Sequence, residues 1–331
     1  MNLVRAELAR LTARRFVQAM VLVLLITFAI TVATTIAGSH QPTSFEIAQA
    51  EQSAQQERRS IERYLAECRA AQSPDTPRSV RDNYPRNCAG INPADARPEN
   101  HLWGVFVFER EIRPLVMLLA AFLALFGFLV AASFVGAEMT SGGMTNLLLW
   151  RPQRLAVLGT KLGSVLGAVL GVAVVSTVVY VAAFWVVGHT AGMPGHLSSR
   201  EWGSLVLLGL RGLGLALVMT ALGFAVATLG RHTAAALGVV AGYFVAWELG
   251  ARVVMTVIDA SRPERLMLST YMAAWINGRV EMWDEFVCDS AAGGCGGPWV
   301  VTWWHAAVVF AALLLIFVGG AFVNFRRRDV A

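Results

Sequence analysis

The chain has 331 residues, of which 56% are hydrophobic and only 15% charged, with a net charge of +5. Its apolar side chains come in blocks of about 20, too many for one soluble core and the length a helix needs to cross a hydrocarbon layer about 30 Å thick. The basic balance calls for no nucleic acid, because arginines gather at the ends of these blocks, where they act as topological anchors.

In chain order, residues 1–15 place Leu3, Leu8 and Leu11 among arginines. That suits an amphipathic entry helix on the inner leaflet, and equally an ordinary charged flank. The first apolar block, 16–37, is longer than a signal-peptide core and no cleavage site follows it, so it reads as a retained span. Residues 38–113 begin with a polar stretch that puts Ile47, Ala50, Ala54, Ile61, Leu65 and Cys68 roughly on one side of a helix. A Pro-, Asn- and Asp-rich loop containing Cys88 follows. With few large apolar side chains, this segment reads as a small cap rather than an autonomous domain.

Blocks at 114–136, 162–188, 204–229, 234–258 and 301–323 complete six predicted spans, which in lipid must be helical to satisfy their own backbone. Gly163, Gly167 and Gly171 recur every four residues in the third span, and Gly238 and Gly242 repeat that spacing in the fifth, a pattern that permits close helix contact. Residues 259–300 are expected to hold an amphipathic or re-entrant helix, with Leu268, Tyr271, Met272, Trp275 and Ile276 at helix-face spacing. A tight loop bearing Cys288 and Cys295 follows, and the tail is 324–331.

Charge orients these spans. The flanks 1–15, 137–161, 230–233 and 324–331 carry 11 basic residues against 3 acidic, whereas 38–113, 189–203 and 259–300 carry 14 basic and 18 acidic. The positive-inside rule therefore puts both termini and segment 137–161 in the cytoplasm. All four cysteines then lie outside, two per loop, which favours the bridges Cys68–Cys88 and Cys288–Cys295 over a zinc site, for which the ligand spacing is missing. Nothing else suggests a metal; His189 and His196 read as a solvated pair. Three charges lie within spans: Arg211, Glu248 and Arg252. Arg211 and Glu248 fall at similar depth, so an ion pair between them either fixes helix register or lines a transport path, with Arg252 as another partner.

Segment 137–161 contains Glu138, Gly142, Gly143, Leu147, Leu148, Trp150, Arg151, Pro152, Arg154 and Lys161, the only lysine in the chain. The glycines allow a tight turn, Met144 to Trp150 can form a short helix, and Pro152 ends it. Arg151, Arg154 and Lys161 either touch headgroups or partner carboxylates, or simply anchor the loop. The pattern E-x3-G-x4-LL-x3-P-x-R-x6-K resembles the first cytoplasmic loop of ABC-2 type permeases, the membrane subunits of ATP-binding-cassette exporters. The resemblance implies an all-α integral membrane protein with six transmembrane helices, cytoplasmic N- and C-termini and a helical hairpin dipping in from outside before the last span. It also implies a loop that couples to a cytoplasmic ATPase dimer, a second permease copy or a homologous permease, and ATP with Mg bound by the partner rather than by this chain.

No G-x4-G-K-[ST], HExxH or G-x-S-x-G motif is present, so the chain is expected to have no catalytic residue of its own. The resulting expectation is the permease subunit of an exporter for a hydrophobic or amphipathic compound, set in a bacterial plasma membrane and surrounded by lipid. Two rivals stay open: a secondary transporter driven by an ion gradient through Glu248, and a non-transporting sensor or scaffold that uses the 38–113 cap.

Overall fold

The computed structural model describes residues 2–81, 83–85, 87–144, 149, 153–258, 263–282, 288–289, 294–295 and 299–327. Helix α1 (Asn2–Thr12) precedes the first long helix, α2 (Arg15–Ala37). Helix α3 (Ser44–Ala71) is polar; α4 (Phe108–Thr140), α5 (Arg154–Thr190) and α6 (Ser199–Gly230) are long and apolar. Helix α7 (Thr233–Val257), the short α8 (Leu268–Asn277) and α9 (Trp303–Arg327) complete the chain. Six of these helices, α2, α4, α5, α6, α7 and α9, are long and apolar enough to cross a membrane.

The helices overrun the apolar blocks that mark them. At 33 residues α4 is about 50 Å long, well beyond a hydrocarbon core of about 30 Å. Helix therefore enters the expected loop 137–161 from both sides, through Thr140 and from Arg154. The chain divides into two compact units.

The first unit comprises Met1–Ala29, Arg113–Val181 and Ser198–Ala331. Its core gathers Leu11, Phe134, Val135, Met144, Leu158, Val165, Phe224, Ala236 and Phe325. Helix α4 is central, with 61% of its apolar window buried against 6% for α2 and for α7. The apolar surface left on α2, including Leu22, Leu25, Ile26 and Ile30, suits lipid. Hydroxyls within the helices bond back to carbonyls one turn earlier, as Thr220 Oγ1 does to Ala216 at 2.6 Å, so they bring no unsatisfied donor into an apolar setting.

Close approach of α4 to its neighbours depends on glycine. A Cβ at Gly223 would lie 2.3 Å from the Phe128 carbonyl oxygen, and one at Gly136 would lie 2.6 Å from the Thr233 backbone nitrogen. The ladders singled out by spacing behave differently. A Cβ at Gly163, Gly167, Gly171, Gly238 or Gly242 would meet no atom within 4 Å. Four-residue spacing makes a smooth helix face, but among the described residues no neighbour occupies it.

The second unit comprises Ile30–Ile112 and Ala182–Leu197. Thr43 and Glu46 form a reciprocal capping box at the start of α3, and Cys68 is bonded to Cys88, pinning the following loop to that helix. The strands β1 (Phe106–Val107) and β2 (Gly192–Met193) pair in parallel. Val105, Val107, Leu102 and Ala50 make a small core against Met193. Ser39 Oγ accepts from the Phe106 N–H at 2.7 Å and donates to the Ala191 carbonyl.

Within the first unit, β3 (Arg279–Met282) pairs antiparallel with Trp299–Thr302, and α8 precedes this hairpin. Between those strands, Cys288 and Cys295 are register partners in a two-residue antiparallel pair; the bridge expected between their side chains lies outside the described residues.

Candidate functional site

Glu138 sits in the last turn of α4 and Lys161 in the second turn of α5, and the two meet at the base of the loop. Glu7, on α1, completes the site. Lys161 Nζ donates to Glu7 Oε2 at 2.7 Å and is also ion-paired with Glu138 Oε2. Arg14, between α1 and α2, donates to Glu138 Oε1 at 2.9 Å and to the Ser133 carbonyl at 3.1 Å. Arg10 reaches Glu7 Oε1 at 3.3 Å. Both Glu7 and Lys161 are 0% exposed, and Glu138 is 8% exposed. The ring of Phe134 lies 5.2 Å from Lys161 Nζ and 4.9 Å from the Arg14 guanidinium, adding a cation–π face to each.

A buried ammonium is tolerated only when paired, and this one has a carboxylate on each side. Each carboxylate has a second cation, so the charges interlock as Arg10–Glu7–Lys161–Glu138–Arg14. Helix α1 is thereby fixed to the two helices that enclose the loop. The apolar core continues this anchorage: Leu11 of α1, Phe134 of α4, Met144 after the glycine turn and Leu158 of α5 belong to one cluster.

Lys161 departs from what its position in a basic loop suggests. It is sealed between two carboxylates and presents no charge to headgroups or to another protein. Gly142 makes the turn after α4 with φ of +71°, a conformation suited to glycine, and Gly143 follows it. Arg154 is the first residue of α5 and is half-buried. Leu147, Leu148, Trp150, Arg151 and Pro152 lie outside the described residues.

Arg211 and Glu248 are not joined by any ion pair among the described residues. Instead they bracket α8. Glu248 accepts from the Ser269 N–H at 3.0 Å and the Ser269 hydroxyl at 2.9 Å, at the start of that helix. Arg211 lies at the other end: its carbonyl accepts from Trp275 Nε1 at 2.8 Å, and a Cβ on Gly278 would meet its guanidinium at 2.5 Å. An acid at the amino end and a base at the carboxyl end both suit the dipole of α8. Arg252 is exposed.

Sequence reasoning missed Glu7 and Arg14 as site residues, along with Tyr243 and Ser269. One trace was present. Glu7 is the only acid in residues 1–15, an anomaly in a segment otherwise charged by arginine.

The family model described as ABC-2 family transporter protein matches residues 1–330. No relative among curated proteins matches the chain.

Proposed function

A match over nearly the whole chain means that this protein belongs to the ABC-2 transporter family, and from that premise we propose that it is the membrane permease of an ATP-driven exporter. In this reading both termini and the loop between α4 and α5 face the cytoplasm, and the disulfide-tied second unit forms an extracytoplasmic cap. A separate ATPase dimer binds ATP and Mg and presses on residues 139–152. Two permease copies, or this chain and a homologous one, sit on that dimer in a bacterial plasma membrane and expel a hydrophobic or amphipathic compound.

The observation that carries the reading is the ion-pair chain Arg10–Glu7–Lys161–Glu138–Arg14, buried at Glu7, Lys161 and Glu138. A motor pressing on a loose loop would only bend it. Here the base of the loop is tied to α1, α4 and α5 through an ion cluster whose centre, Glu7 and Lys161, is shielded from water, so displacement of the loop becomes displacement of helices. Every member of the cluster has its partners within the chain, so the cluster transmits force rather than binding a ligand.

The test is co-purification with an ATPase encoded beside it, reconstitution into vesicles and measurement of ATP-dependent efflux of candidate compounds. Stimulated hydrolysis with outward transport is the expected result. Flux that persists without ATP and follows a proton gradient would overturn the proposal.

A further inference from the structure

The fifth membrane helix is wound in two ways. It is α-helical over Thr233–Tyr243, π-helical over Phe244–Ala251 and α-helical again over Arg252–Val257. In an α-helix of 3.6 residues per turn, side chains five apart diverge by about 140°. The wider winding of a π-helix, bonded i→i+5, brings such residues nearer to one face. Tyr243 and Glu248 are five apart, and the tyrosine hydroxyl donates to Glu248 Oε1 at 2.9 Å. Their contact is a product of the unusual winding.

The same face grips the start of α8. The Leu268 N–H donates to the Tyr243 hydroxyl oxygen at 3.0 Å, the Ser269 N–H donates to Glu248 Oε1 at 3.0 Å and the Ser269 hydroxyl donates to Oε2 at 2.9 Å. One turn along, Trp247 Nε1 donates to the Leu266 carbonyl at 3.0 Å. Met267, at the N-cap position of α8, supplies no side-chain cap. The first amides of a helix have no partner inside it, and here the side chains of another helix serve two of them. Glu248 is thus fully engaged without Arg211.

We propose that the π-helical turn is a clamp, with Glu248 and Tyr243 as positioning residues that make α8 and the hairpin after it follow the fifth span when the permease moves. The proposal rests on the permease reading for its purpose, though not for its geometry. Rewinding the turn as α-helix swings Glu248 away from Tyr243 and releases both amides of α8, so the winding itself is the latch. Rare π turns recur where helices do more than span.

Hydrogen exchange on the full-length protein in lipid nanodiscs tests the clamp. Glu248→Ala should raise exchange of the Ser269 amide about tenfold, the factor given by losing one hydrogen bond. Glu248→Gln should leave it near wild type, because the glutamine oxygen still accepts and its amide can donate to Ser269 Oγ. Tyr243→Phe removes one hydroxyl and no volume, so it serves even if the alanine variant fails to fold; it should raise exchange at Leu268 by the same factor.

With the ATPase present, Glu248→Ala and Tyr243→Phe should lose export while ATP hydrolysis continues, and Glu248→Gln should retain both. Unchanged amide exchange in Glu248→Ala and Tyr243→Phe, or export abolished equally by Gln and Ala, overturns the clamp; the latter result is what a proton-carrying Glu248 would give. Wild-type protein that shows no ATP-driven export sinks the permease reading instead, and amide exchange then decides the clamp by itself.

Discussion

Lys161 carries its ammonium into a place with no exposed surface, between two carboxylates from different helices. Lys161→Met would leave those carboxylates facing one another without the charge between them. Breaking one partner of a buried ion cluster costs about 3–5 kcal/mol, and chemical denaturation of the purified protein should show a loss of that order. Adding Glu7→Gln should recover part of it, a departure from additivity of about 0.5–3 kcal/mol. The lysine stands out in the sequence because it is the only one, but the partner that ties it to α1, Glu7, is 154 residues away. No local pattern encodes a distance of that kind, so reading the loop alone assigned the charge to its surface.

At the start of α3, the Thr43 backbone N–H, followed by the His40 and Thr43 side chains, holds the Glu46 carboxyl down to about 2 from its ordinary 4.5. A carboxyl whose folded-state pKa is depressed stabilises the fold only while ionised. Its contribution is complete above pH 4.5 and fades as the pH falls from there through about 2. Melting temperatures of wild type and Glu46→Gln should therefore differ at neutral pH and converge across that acidic window. A constant difference would show that the carboxylate charge is not what caps the helix.

At the scale of elements, the two sets of glycines lead to opposite expectations. Gly223→Ala would put a methyl 2.3 Å from the Phe128 carbonyl oxygen, forcing α4 and α6 apart at a cost of about 1–3 kcal/mol. Gly167→Ala meets nothing within 4 Å and adds a better helix former, so the monomer fold should be unchanged or slightly firmer. Thermal unfolding of both variants in detergent checks the contrast. Apolar blocks were legible as helices because lipid leaves the backbone no other economical form. Their full lengths were not, since a helix continues past hydrocarbon wherever its own bonds and tertiary packing hold it. The Gly163, Gly167 and Gly171 repeat could not reveal whether any neighbour faces it. The π turn was likewise hidden: Phe244 to Ala251 is uniformly apolar apart from Glu248, so no periodicity betrays its winding.

At the scale of the whole molecule, the ion cluster bears on synthesis as well as on force. Glu7 leaves the ribosome well ahead of its lysine, which emerges 154 residues later. At about 5–20 residues per second that is a wait of roughly eight to thirty seconds. Throughout it α1 has its arginines and leucines but not the ammonium that finally seals it in place. Helix α1 is therefore made long before the partner that locks it. Bulky fusions at the amino end would act during that interval, before the carboxylate of Glu7 has anywhere to go.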